Sequence, residues 1–253
     1  MEKDITELLR EWEYDPEKSI RIVTAQDGRD VLQVRLPLGI EQYELDGRPD
    51  GKVFMGKETL LEKYREEIDA RVRAGETGFT FSHDDFIILQ NESTLFYYRY
   101  LLLFQIGDFS RVVRDTEHNL AICDLIERYC ADPDDRKALL QYKPYMLRMN
   151  AVSRAMISLH RHAKTVAQEI LEKAINEIKS MSEIDSPAFQ FERIRSINYL
   201  KSALKQVHEK PVNPLEDLKR ELQEAIRVEN YEHAAELRDR IKALEDGSGP
   251  DRQ

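Results

Sequence analysis

The chain has 253 residues, a formal net charge of −10, 41% hydrophobic and 34% charged residues. That length suffices for one sizeable domain with appendages. The acidic balance argues against a broad electrostatic grip on nucleic acid, which needs Lys and Arg against phosphates, and leaves room only for a local basic face. No run approaches the roughly 18 consecutive apolar residues of a membrane span. Met1-Glu-Lys-Asp-Ile5 lacks the shape of a secretory leader, and two cysteines fit a reducing compartment. The expectation is therefore a cytoplasmic protein with no membrane association.

In chain order, Ile5 to Glu13 predicts a short helix with Leu8, Leu9 and Trp12 on its inner face. Ser19 to Thr24 and Asp30 to Leu36 alternate as strands around the turn Gln26-Asp27-Gly28-Arg29. A third short strand covers Ile40 to Leu45. The Asp46-Gly47-Arg48-Pro49-Asp50-Gly51 segment that follows reads as turns, because its spacing misses the EF-hand order. This β unit is too thin to stand alone and should pack on the helices.

From Gly56 onward the pattern is helical. Lys57 to Ala74 predicts one helix, closed by Gly75. Ser82 is placed to cap the next, with Asp84 and Asp85 in its first turn. His83-Asp84 invites comparison with metal phosphohydrolases, but the other His and Asp ligands are missing, so capping is the better reading. Phe96, Tyr97, Tyr98, Tyr100 and Phe104 read as an aromatic core cluster, since Arg99 is the only interleaved base. His160 and His162 read as a solvated helix turn, their i, i+2 spacing placing them on different faces. Glu117, His118 and Asp124 carry acid and base groups of the kind acidic helices show by chance. Nothing resembles a nucleophile elbow, a glycine-rich nucleotide loop or a zinc site; no cofactor, metal or catalytic residue is expected.

Phe191 to Glu209 predicts an amphipathic helix with Phe191, Ile194, Ile197, Leu200, Leu204 and Val207 inward. Lys210-Pro211-Val212-Asn213-Pro214 is a stiff, non-helical hinge. Beyond it, Leu215, Leu218, Leu222 and Ala225/Ile226, then Tyr231, Ala234/Ala235, Leu237, Ile241 and Leu244, recur at helical spacing. Val228-Glu229-Asn230 is the reversal, with Asn230 able to cap the second helix. The pair is shorter than the roughly 40 residues below which a lone core is usually insufficient, so it must dock on something.

Two resemblances follow from these residues. Phe96, Tyr100, Leu103, Gly107-Asp108-Phe109 and Val112 resemble the first helix and turn of a tetratricopeptide repeat, and Met149 through Ala174 gives a weaker echo. The echoes lie about 55 residues apart, against roughly 34 in the standard repeat. Tyr100 also stands where that repeat has a small residue, so the reading is repeat-like stacking of helix pairs with a partner-binding groove. The C-terminal pattern of Leu218, Leu222, Ala225-Ile226, Glu229, Tyr231-Glu232-His233-Ala234-Ala235, Leu237-Arg238-Asp239 and Ile241 resembles the UVR motif of the excision-repair proteins UvrB and UvrC. That resemblance implies a hairpin that pairs with another UVR hairpin through an apolar patch ringed by ion pairs, with Tyr231, Ala235 and Arg238 at the contact. Leu222, Ile226, Tyr231, Ala235, Arg238 and Ile241 are the candidate partner-binding residues.

The motif arrives without the Walker loop of UvrB, the nuclease domain of UvrC or the paired Cys-x-x-Cys sites of UVR-bearing regulators; Cys123 and Cys130 do not form such pairs. The expected fold is mainly α with a small N-terminal antiparallel β unit (α+β), a repeat-like helical stack and a C-terminal helical hairpin. Its divisions are a β unit with its helix (1–55), a helical body (56–209), the hinge (210–214), the hairpin (215–245) and a disordered tail (246–253). The expected function is a non-catalytic adaptor that binds another UVR-bearing protein or a second copy of itself through the hairpin. The alternative is an accessory factor of nucleotide-excision DNA repair that contacts DNA or UvrB- and UvrC-like proteins.

Overall fold

A computed structural model describes residues 4–209, 214–227 and 230–245. The chain is mainly α with a small N-terminal antiparallel sheet, as the pattern predicts. Strands β1 (Ile20–Thr24), β2 (Asp30–Leu36) and β3 (Gly39–Glu44) pair in the order β1-β2-β3. Register runs from Ile20 opposite Val34 to Thr24 opposite Asp30, and from Val31 opposite Glu44 to Leu36 opposite Gly39. Gly28, at φ +86°, supplies the left-handed residue that the β1–β2 turn needs. As the central strand, β2 is buried along most of its length, including Arg35, whose guanidinium donates to the carbonyls of Trp12 and Gly39.

Helix α1 is confined to Thr6–Glu11, and it does not have the inner face expected of it. Leu8 is exposed, and Trp12 terminates the helix with its ring 3.9 Å beneath the Arg21 guanidinium. At six residues the helix makes fewer than two turns, and the Arg35 contacts to the Leu9 and Trp12 carbonyls tie it to the sheet.

Helix α2 (Leu60–Arg73) starts later than Lys57. Met55 and Gly56 both have positive φ, and Phe54 and Lys57 exchange backbone hydrogen bonds across a tight turn. Thr59 then caps the helix by accepting from the Glu62 amide at 3.2 Å. Helix α3 (His83–Gln105) opens on the expected Ser82 cap, which the structure extends to a capping box, the Ser82 hydroxyl and the Asp85 carboxylate each accepting from the other's amide. Gly107 (φ +78°) and the Asp108 cap reverse the chain into α4 (Phe109–Tyr129). Helices α5 (Pro133–Leu140), α6 (Lys143–His160), α7 (Lys164–Ser180) and α8 (Pro187–Glu209) complete the body.

The two sequence echoes fall on the α3–α4 and α6–α7 turns, so the body contains two helical hairpins, joined where α4 packs on α6. The α3–α4 pair is long for a standard repeat, at 23 and 21 residues. Tyr100 is fully buried against Leu32 of the sheet, Leu103, Val112 and Met149. A large ring is accommodated there because the sheet, not a further repeat helix, covers that face. Of the expected aromatic core, Phe96 is buried and Tyr97 and Phe104 pack against this cluster, but Tyr98 faces solvent.

The sheet is fastened to the helices by buried charge. Arg99 and Asp115, both fully buried, pair at 2.7 Å, and Arg99 also donates to the carbonyls of Glu44 and Gly47. Arg114 adds bonds to Asp115, Asp46 and the Leu45 carbonyl. Beside this, Glu92 accepts from Arg48, from the Leu60 and Leu61 amides at the start of α2, and sits 3.1 Å from His118 Nε2. Burial by itself would raise the Glu92 carboxyl, but bonds from His118 and the two amides outweigh it and hold the group below its usual range. A carboxylate at a helix N-terminus also meets the positive end of the α2 dipole.

Helix α8 corrects a further expectation. The residues it buries are Phe189, Ser196, Leu200 and Val207, while Phe191 and Ile194 are 61% and 60% exposed. The helix carries more than one apolar stripe, and packing on α6 and α7 selects the one that begins at Phe189.

Candidate interaction surface

Helices α9 (Pro214–Arg227) and α10 (Tyr231–Glu245) form the C-terminal hairpin. The expected hinge residues Lys210 to Asn213, the reversal residues Val228 and Glu229, and the tail from Asp246 lie outside the described residues. Pro214 is the first residue of α9, the position at which a helix tolerates proline. Asn230 closes the turn as expected. Its amide donates to the Ala225 carbonyl at 2.8 Å, and its side-chain oxygen accepts from the His233 amide at 3.3 Å.

The hairpin has an apolar seam of its own. Leu218 and Ala225 of α9 meet Ala234, Leu237 and Ile241 of α10, with Leu222 packed at the edge. The alanines let the helix axes approach closely, and Leu237 is fully buried between them. This divides the six candidate residues. Leu222 and Ile241 belong to the seam that closes the hairpin. Ile226, Tyr231, Ala235 and Arg238 lie on its outside, Tyr231 at 67% exposure. Tyr231, Ala235 and Arg238, spaced i, i+4 and i+7, share one stripe of α10. Ile226 lies in the last turn of α9 beside the same reversal, so exposed apolar residues flank it on both sides.

One contact to the body went unread in the sequence. His162, at the α6–α7 turn with φ +57°, places Nε2 2.9 Å from the Glu221 carboxylate on α9. The pair spans the two regions, and no local pattern signals it. His160 instead lies 5.8 Å from the Phe109 ring.

The remaining acid and base candidates are engaged structurally. His83 Nδ1 lies 3.0 Å from Asp135 at the start of α5, and that hydrogen bond raises the imidazole pKa. Glu117 pairs with Arg154, and Asp124 accepts from Lys143 at 3.0 Å. Both cysteine thiols are buried, and burial pushes Cys123 up to about 12, far from thiolate chemistry. Among the described residues no cluster of three His, Cys, Asp or Glu side chains is placed to hold a metal ion. No described helix is long and apolar enough to cross a membrane.

The hairpin is thus a capped helical pair that closes over its own seam and holds the Tyr231 ring and the Arg238 guanidinium outward. Residues 213–247 match the family profile described as UVR, the UvrB/uvrC motif, which covers this hairpin and not the body. Comparison with curated proteins and with solved structures returned no match.

Proposed function

We propose that the protein is a non-catalytic adaptor whose C-terminal hairpin recruits a second UVR hairpin, on another protein or on a second copy. The observation that carries this reading is the division of the hairpin's apolar residues. The seam consumes Leu218, Leu222, Ala225, Ala234, Leu237 and Ile241, and leaves Ile226 and Tyr231 uncovered beside the turn. A hairpin that needed those two side chains for its own stability would bury them. Arg238 stands on the same stripe, in reach of a partner's carboxylate at the rim of an apolar patch. The match to the UvrB/uvrC motif supports a partner bearing the same motif, and hence a link to excision repair through protein contact. The net charge of −10 weighs against direct contact with DNA.

The test is sedimentation of the full chain together with titration calorimetry against isolated UVR hairpins of UvrB and UvrC. Self-association or hairpin binding that Tyr231→Asp abolishes is the expected result. A monomer that binds neither hairpin overturns the proposal.

A further inference from the structure

On the body, a cleft of about 420 Å³ opens between α3, α5, the start of α6 and α8, within the size range of small-molecule sites. Its walls are tyrosine rings. Tyr97 stands 5.5 Å from Tyr98 and 5.9 Å from Tyr145, centroid to centroid, and edge-on to Tyr100 at 5.5 Å. Tyr98 and Tyr142, at 50% and 45% exposure, keep ring surface open at the mouth. Aromatic walls of this kind take flat rings, by stacking or by edge-on contact.

The charges that line the cleft cancel. Glu192 and Arg195 are its only charged lining residues, and Arg195 Nη1 lies 3.6 Å from Glu192 Oε1. Arg148 does not line it; that guanidinium lies over the Tyr145 and Tyr199 rings, at 4.7 and 5.4 Å. An anion would have to take Arg195 from its carboxylate, and a cation would have to take Glu192 from its guanidinium. The cleft therefore suits an uncharged ligand. Two buried polar atoms of its lining residues have no partner among the described residues: Glu192 Oε2 and the hydroxyl of Tyr100, a side chain at 0% exposure. Buried polar atoms are ordinarily paired, as the neighbouring Arg99 is by Asp115 and two carbonyls. A carboxylate oxygen takes only a donor, and a phenol hydroxyl has a proton to give. A ligand that satisfies both presents an N–H or O–H together with a carbonyl or ring-nitrogen acceptor.

A flat, uncharged ring with a donor and an acceptor on one edge is the chemistry of a nucleobase. We propose that this cleft binds the base of a free nucleoside. The ring lies among the tyrosines, its N–H donates to Glu192 Oε2, and the Tyr100 hydroxyl donates to its carbonyl or ring nitrogen. The sugar points out past Tyr98 and Tyr142. A nucleoside is favoured over a nucleotide or a base within a strand, because phosphate needs cations. The single guanidinium that lines the cleft already faces Glu192, on a chain of net charge −10. Arg195 has a positioning role in this arrangement, holding the Glu192 carboxylate by its other oxygen.

The experiment is titration calorimetry of the full chain with adenosine, guanosine, cytidine and uridine, each beside its own 5′-monophosphate, and with tyramine as an aromatic cation. At least one nucleoside should bind one to one, about tenfold more tightly than its monophosphate and than tyramine. Glu192→Gln, which sets an amide N–H₂ in place of the accepting oxygen, should weaken that binding about tenfold. Tyr100→Phe, which removes only the hydroxyl, should weaken it about tenfold while the thermal midpoint of the unliganded chain does not fall, since that hydroxyl holds nothing in the fold. Tyr231→Asp should leave nucleoside binding unchanged, which separates it from recruitment through the hairpin. Tyramine or a monophosphate that binds as tightly as the best nucleoside would assign the cleft to a charged ligand and overturn the proposal. No binding by any nucleoside would overturn it, and so would binding that survives both Glu192→Gln and Tyr100→Phe.

Discussion

The body and the C-terminal hairpin solve the same packing problem in opposite ways. The body buries charge: Arg99, Asp115 and Glu92 are all fully enclosed, each with partners drawn from elements distant in sequence. Among its described side chains, the hairpin buries only Leu, Ile and Ala, supplied by two neighbouring helices. A buried ion network is expensive to assemble and severe to break, and it specifies one arrangement of sheet and helices. An apolar seam between two short helices is simpler to form, but it leaves Ile226 and Tyr231 exposed. The body specifies one arrangement, and the hairpin, on the proposed function, is the part that a partner completes.

Substitutions that break this contrast have graded effects. The largest is expected for Asp115→Ala, which strands Arg99 without its carboxylate. Urea unfolding should show a loss of about 3–5 kcal/mol, while UVR-hairpin binding of the folded fraction stays unchanged. Leu237→Ala empties the centre of the seam, where such truncations cost about 2–5 kcal/mol. Hydrogen exchange should then report loss of protection across α9 and α10 alone, with the body's unfolding midpoint unmoved. Tyr231→Asp should change neither stability nor exchange, yet weaken hairpin binding at least tenfold, about 1.4 kcal/mol.

Acid sharpens the comparison from the other side. The Glu92 carboxyl has a lower pKa folded than its ordinary 4.5. Its contribution is fully present above that ordinary value and is lost as pH falls through the lower folded value. Body unfolding followed by circular dichroism should therefore steepen in acid, and Glu92→Gln should flatten that limb at the cost of lower stability at neutral pH. The smallest effect is expected for His162→Ala. The His162–Glu221 pair is partly solvated, so its loss should cost no more than about 1 kcal/mol. It should appear as freer rotation of the hairpin in fluorescence anisotropy of a label on α10, not as unfolding.

Most elements were legible in the sequence because their signals are local. Gln26-Asp27-Gly28-Arg29 marks a turn since only a left-handed residue fits it. Ser82 with Asp85 marks a helix start, because amide donors within four residues need acceptors. The seam of the hairpin was legible for the same reason, as its contacts lie within one short segment. The interaction surface was only half legible. Periodicity placed Ile241 and Tyr231 on helices, but not Ile241 in the seam and Tyr231 outside it. Helix α8 shows the limit plainly: Phe191, Ile194, Leu200 and Val207 satisfy one periodic pattern, yet the packed stripe begins at Phe189.

By itself, the sequence determined the helical class, the small sheet, the caps and turns, and the hairpin with its UVR pattern. Each depends on residues a few positions apart. Tertiary structure alone decided that Arg99 finds Asp115, that Glu92 receives the start of α2, that Glu221 reaches His162 and that Arg148 is left among tyrosines. These pairings join residues far apart along the chain, and nothing in their local spacing distinguishes them from the many other charges around them. Only the closing of the body, which removes water from some charges and not from others, selects which must be paired.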